Sequence, residues 1–244
     1  MFLLRGGTRF GYGLPHREDV ACRRMRNPGN RTPGSSLAAH RCVGCRLAQH
    51  ACLCALIPRI DTRTRVVLVL HQLENNKTSN TGRLALRCLP NSQIVMRGDP
   101  NWSHEENTPL PPGLDESAPP PDWNAHGDPV LLYPHPDARP IEAWKDHPRP
   151  VTLIVPDGTW RQGRRVRQRT PGLAQVPCAS ISRSAPSNYR LRTTYDPRRL
   201  ATLEAIAEAL GVLEGETART ALLEIFDVMV ERTLRARAGG DQAR

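Results

Sequence analysis

Two short apolar runs constrain this chain more than any other feature. They are Val-Val-Leu-Val-Leu at 66–70 and Val-Thr-Leu-Ile-Val at 151–155. Five residues are too few for a packed helix, and neither run alternates apolar with polar. Such a run fits a strand buried on both faces, as in a parallel sheet covered by helices. Further strands are expected at 93–96, 130–133 and 178–181, and helices at 83–89, 160–169, 200–213 and 217–236. The last two helices carry apolar residues at helical spacing: Leu203, Ile206 and Leu210, then Leu222, Ile225, Phe226 and Met229. Strands alternating with helices predict an α/β fold, a largely parallel sheet with flanking helices. Ligands of such sheets bind beyond the carboxyl ends of the strands. The loops at 71–82, 133–136, 156–160 and 182–192 all follow strands, so they are expected to cluster.

The chain divides by composition. Residues 1–38 are rich in Arg, Gly and Pro without a sustained period, and are expected to form a disordered basic leader. Residues 39–60 form a cysteine knuckle, and residues 61–240 the main domain. Within it, 99–129 is a proline-rich acidic loop, with no Lys or Arg between Arg97 and Arg139. No apolar run approaches the roughly 20 residues of a membrane span, and the first residues are too short for a secretory signal core. The expected compartment is the cytoplasm, where the seven cysteines serve as metal ligands or buried thiols rather than disulfides.

Four of those cysteines are Cys42, Cys45, Cys52 and Cys54. Four thiolates spaced this closely can close around one tetrahedral zinc, and a small segment with few large apolar residues needs such a staple. Iron–sulfur ligation or free thiols are the alternatives. A zinc with four protein ligands has no open position, so its role would be structural.

Three polar segments carry the remaining chemistry. At 156–169 the second apolar run turns through Asp157, Gly158 and Thr159 into Trp160 and a helix bearing Arg161, Arg164, Arg165, Arg167 and Arg169. Asp157 and Thr159 are both able to cap that helix. Five arginines without an acidic partner in the helix point to a phosphate, against the plainer reading of a solvated face. At 71–83, His71, Glu74, Lys77, Asn80, Thr81, Gly82 and Arg83 lead into another helix start, either an anion site or a simple cap. At 187–192, Tyr189 beside Arg190 and Arg192 can stack a base, or Tyr189 can belong to the core. The net charge is +10, and ten arginines against one acid, Asp196, lie between Trp160 and Leu200. Such a surface attracts a polyanion.

In order, these motifs are the four-cysteine knuckle, His-x-x-Glu-x-x-Lys-x-x-Asn-Thr-Gly-Arg, Leu132-Tyr133-Pro134, Asp157-Gly158-Thr159-Trp160, Tyr189-Arg190-Leu191-Arg192 and Thr202-Leu203-Glu204-Ala205. Together they resemble the DTW-domain proteins, the tRNA-uridine aminocarboxypropyltransferases. The resemblance covers residues 40–235. It implies a SPOUT-like core with a C-terminal trefoil knot. It also implies transfer of the 3-amino-3-carboxypropyl group of S-adenosylmethionine to N3 of a uridine in tRNA, in the variable loop, releasing methylthioadenosine. The alternatives are a SPOUT-type RNA methyltransferase and a non-catalytic zinc-ribbon RNA-binding protein. The resemblance implies that Leu132, Tyr133, Pro134, Asp157, Gly158, Thr159, Trp160, Thr202 and Glu204 hold the donor. Asp157 is the expected catalytic base, or else a cap or a partner of the donor's ammonium. Lys77, Arg83, Arg161, Arg164, Arg165, Tyr189, Arg190 and Arg192 are the expected tRNA-facing set. A monomer without an obligate protein partner is expected.

Overall fold

The computed structural model describes residues 41–75, 77, 80–97, 122–182, 185–191 and 199–241. Strands β1 (Arg65–His71), β2 (Ser92–Arg97), β3 (Asp128–Leu132), β4 (Arg139–Pro140), β5 (Val151–Asp157) and β6 (Cys178–Ser180) form one sheet. Its order is β2-β1-β5-β3-β6-β4, and every pairing is parallel. The two apolar runs lie side by side at its centre: Val66 pairs with Leu153 and Leu70 with Asp157.

The lack of alternation in those runs has its reason here. Val66, Leu68 and Leu70 of β1 face one apolar layer with Leu153 and Val155 of β5. Val67 and Val69 face a second layer with Leu131, Ile154 and Cys178. The helices are α1 (Gln72–Asn75), α2 (Thr81–Cys88), α3 (Trp160–Arg169), α4 (Thr202–Leu213) and α5 (Glu216–Asp241). Helices α2, α4 and α5 cover the first layer, through Leu84, Leu203, Ile206, Leu210, Leu222 and Phe226 among others. Fully buried Phe226 contributes roughly 1.5–3 kcal/mol of burial free energy. The second layer is covered by α3 through Val166 and by Trp123, Leu173 and Val176.

The four-cysteine segment does not stand apart. Its Leu47, Ala51, Leu53 and Ile57 join the same apolar layer as α2, α4 and α5, and Arg232 of α5 donates to the Cys52 carbonyl.

Several boundaries differ from expectation. The 71–82 loop contains α1, and α2 begins at Thr81 because the Asn80 side chain accepts from Arg83 N–H at 2.9 Å. The acidic loop ends earlier than 129. Trp123 is buried and donates to the Pro171 carbonyl at 2.9 Å, and Asp128 already belongs to β3. Residues 99–121 of that loop, and the leader, lie outside the described residues. The two-residue β4 and the 3₁₀ turn Ile141–Trp144 left no periodic signal to read.

Candidate active site and metal centre

The carboxyl ends of β1, β3, β5 and β6 surround a cavity of about 820 Å³, within the usual range for a small-molecule site. Leu132, Tyr133, Pro134, Asp157, Gly158, Thr159 and Thr202 all line it. The side chain of Trp160 lies outside the described residues. Asp157, the last residue of β5, is 8% exposed. Its Oδ2 accepts from Asn80 Nδ2 at 2.6 Å and its Oδ1 from Thr202 Oγ1 at 2.6 Å. Residues far apart in the chain thus converge on one carboxylate. Burial pushes the Asp157 carboxyl above its ordinary value, and nearby Glu74 adds to that rise. The hydrogen bonds from Thr202 and Asn80, and the charge of Arg83, oppose it without cancelling it.

Capping of α3 falls to Thr159 and not to Asp157. Gln162 N–H donates to Thr159 Oγ1 at 3.3 Å, and Thr159 N–H to Gln162 Oε1 at 2.6 Å, a reciprocal capping box. Asp157 is thereby left to face the cavity. Gly82 permits the approach of α2. A Cβ there would lie 2.9 Å from Asp157 Oδ2 and 2.9 Å from Leu68 Cδ1, so only a residue without a side chain fits.

Glu204 corrects an expectation. It is fully buried and does not border the cavity. Its carboxylate accepts from Ser187 Oγ at 2.7 Å, Asn188 N–H at 2.9 Å and Ala201 N–H at 2.7 Å. All three donors belong to the segments flanking Tyr189 and Thr202, so Glu204 braces a wall of the cavity from behind. A second carboxylate that faces the cavity beside Asp157, in the same polar lead-in as Asn80, is Glu74, which the motif pattern alone did not single out as a ligand. The spacing His-x-x-Glu-x-x-Lys was its only signal.

The expected RNA-facing residues separate. Arg164, Arg165 and Arg190 are exposed. Arg97, at the end of β2, stands near Arg165 and Arg169; burial first, then these two charges, lower its pKa. This extends the basic face of α3 onto the sheet. Tyr189 lines the cavity and also packs on Phe226, with ring centroids 5.9 Å apart. Lys77 borders the cavity. Arg83 points instead toward the cysteine knuckle, among Arg46, Leu53 and Arg87. Burial, and then the charge of Arg46, lower its pKa to about 10. Arg192 and the side chain of Arg161 fall outside the described residues.

The ligand atoms of Cys42, Cys45, Cys52 and Cys54 all lie within 4.8 Å of one another. Cys42 Sγ is 3.5 Å from both Cys54 Sγ and Cys52 Sγ. A tetrahedral zinc with bonds of about 2.3 Å requires sulfurs roughly 3.8 Å apart. The donor set therefore fits the metal. Burial pushes the Cys45 and Cys54 thiols up, and a bound cation is what would ionise them. Cys88, buried against α2's own carbonyls, is pushed up to about 12 by burial and is a core residue. No helix among the described residues is long and apolar enough to cross a membrane.

Comparison with known proteins follows the same outline. Residues 39–234 match the family model described as the DTW domain. The chain is 28% identical over 177 residues to tRNA-uridine aminocarboxypropyltransferase 2 of Macaca fascicularis, covering 71% of this chain and 56% of that protein. It is 27% identical over 179 residues to the Drosophila melanogaster protein of the same name, covering 72% of this chain and 67% of that one. The Mus musculus protein is 27% identical over 177 residues, 71% of this chain and 56% of its own length. The chain thus matches little more than half of the two mammalian proteins. No solved structure matches.

Proposed function

Because the chain belongs to the DTW domain family, we propose that it transfers the 3-amino-3-carboxypropyl group of S-adenosylmethionine to N3 of a tRNA uridine. The observation that carries this reading is the buried Asp157 carboxylate on the wall of the 820 Å³ cavity, gripped by Asn80 and Thr202. In the reaction the donor's Cγ–S bond breaks as the N3–Cγ bond forms. The sulfur leaves as methylthioadenosine with the bonding pair, and the N3 proton departs to a base. Asp157 is that base. Its raised pKa brings it closer to the working pH of a proton acceptor than a free carboxylate of about 3.9. Leu132, Tyr133 and Pro134 offer an apolar wall for the nucleoside, with Gly158 and Thr159 beside it. Preorganised contacts of this kind supply much of the rate by positioning.

The basic face of α3, with Arg164 and Arg165, meets the tRNA backbone, and Arg190 extends the contact. Cys42, Cys45, Cys52 and Cys54 hold a structural zinc. The C-terminal half is tied in a SPOUT-like trefoil knot, a reading supported by the parallel sheet and by Tyr189, Leu191 and residues 199–202 lining the same cavity. The substrate nucleotide lies in the variable loop, and the enzyme works as a cytoplasmic monomer.

The test is mass spectrometry of nucleosides from tRNA incubated with the purified protein and S-adenosylmethionine. Aminocarboxypropyluridine, with methylthioadenosine in the same tube, is expected. Methyluridine with S-adenosylhomocysteine would replace the reaction by methyl transfer. RNA binding without either product would leave a binding protein.

A further inference from the structure

Glu74 and Lys77 stand on the wall of the same cavity as Asp157. The Glu74 side chain is 11% exposed and that of Lys77 55%, and their Oε1 and Nζ are 2.7 Å apart. The backbone fixes their spacing: Lys77 N–H donates to the Glu74 carbonyl at 3.2 Å, and Asn80 N–H to the Lys77 carbonyl at 3.2 Å. An exposed pair three residues apart would be a minor surface ion pair. Here one member is buried beside a second buried carboxylate. Glu74 and Asp157 repel each other, since the charge of Glu74 is among the causes that raise Asp157. Lys77 balances Glu74, while the charge of Arg83 acts on Asp157 and Arg199 lines the same cavity. At this pair the wall presents a carboxylate on the inside and an ammonium at the rim. Its complement carries a cation and an anion on adjacent groups, which describes an α-amino acid zwitterion.

We propose that Glu74 and Lys77 clamp the amino-acid arm of the donor, Glu74 receiving the α-ammonium and Lys77 the α-carboxylate. This rests on the donor reading given above. On binding, the Glu74–Lys77 contact is exchanged for two charge-assisted contacts with the ligand, so no buried charge is left without a partner. Two anchors on the α-carbon fix the arm's direction and bring Cγ, rather than the sulfonium methyl, to the uridine. Lys77 then acts on the donor and not on the tRNA backbone. The clamp consists of positioning residues that decide which of the sulfonium's carbon substituents is transferred.

Calorimetric titration of the full chain with three ligands tests this. S-adenosylmethionine and S-adenosylhomocysteine carry the arm, and methylthioadenosine lacks it. Glu74→Gln and Lys77→Met are each expected to weaken the two arm-bearing ligands by about tenfold or more. Methylthioadenosine should change by no more than about twofold, which also reports that the variants are folded. Equal weakening of all three ligands, or of none, would overturn the clamp. Wild-type protein that binds none of them would overturn the donor reading itself, a different result from wild-type binding that the variants leave unaltered.

Discussion

Burial lifts the Asp157 carboxyl while Asn80 and Thr202 hold its two oxygens in place. The folded state therefore favours the neutral acid more than the unfolded chain does. Stability from this group is complete below the ordinary carboxylate value and is lost as pH rises through the raised folded value. In the proposed reaction catalysis runs the other way, since a base works only when ionised. The acid limb of the pH–rate profile should accordingly fall above the ordinary value of about 3.9. Asp157→Asn should lower kcat by about 10²- to 10⁴-fold while S-adenosylmethionine binding, followed by calorimetry, persists. A variant that turns over normally would reduce Asp157 to a positioning role. The position of Asp157 on the cavity wall was legible from its place at the end of an apolar run. Its partners were not, because Asn80 and Thr202 lie 77 and 45 residues away in the chain, and local pattern does not report such contacts. Glu204 misled for a related reason: a glutamate at the third position of a helix reads alike whether it faces a ligand or the backbone N–H groups behind it.

Helix α3 was legible to the residue, from Trp160 to Arg169. A threonine cap, a glutamine at the third position and a run of arginines are all local signals. Its inner face needs little more than Val166 and Gly163. Gly163 lies beside Tyr133, where a Cβ would sit 3.7 Å from the ring. The outer face holds Arg164 and Arg165, exposed. Filter binding of tRNA across a salt series measures what they do. Replacing both with Ala should weaken binding and flatten the salt dependence by about 0.7–0.9 for each phosphate that is no longer neutralised. An unchanged slope would make this a solvated face. Strand β4 and helix α1, by contrast, are two and four residues long. They exist because neighbouring strands and the cavity wall recruit them, so their own composition carried no signal.

The molecule as a whole is knit by α5. Arg232 reaches the Cys52 carbonyl of the knuckle, and Asp227 accepts from Asn188 Nδ2 at 2.6 Å. Arg237 donates to the Leu191 carbonyl at 3.1 Å. The knuckle shares one apolar layer with the sheet, so loss of a metal held by its four cysteines would be felt by the entire fold. Cys52→Ser, or stripping zinc with a chelator, should lower Tm. For a chain of this size each kcal/mol of destabilisation is about 2–4 °C, and removal of a structural metal should cost several such steps. Calorimetric melts beside metal analysis decide the matter; equal Tm with and without zinc would mean that packing alone holds the knuckle. The parallel sheet and its helices were foreseeable from two apolar runs and the helical spacing around them, whereas the merging of knuckle and domain was not, since it depends on which faces meet. Glu204 from α4, with Asp227 and Arg237 from α5, grips the segment 187–191 from behind before any ligand arrives. That wall has already surrendered its conformational freedom in folding. A ligand that settles against it has little ordering left to impose, and more of its contact energy remains as affinity.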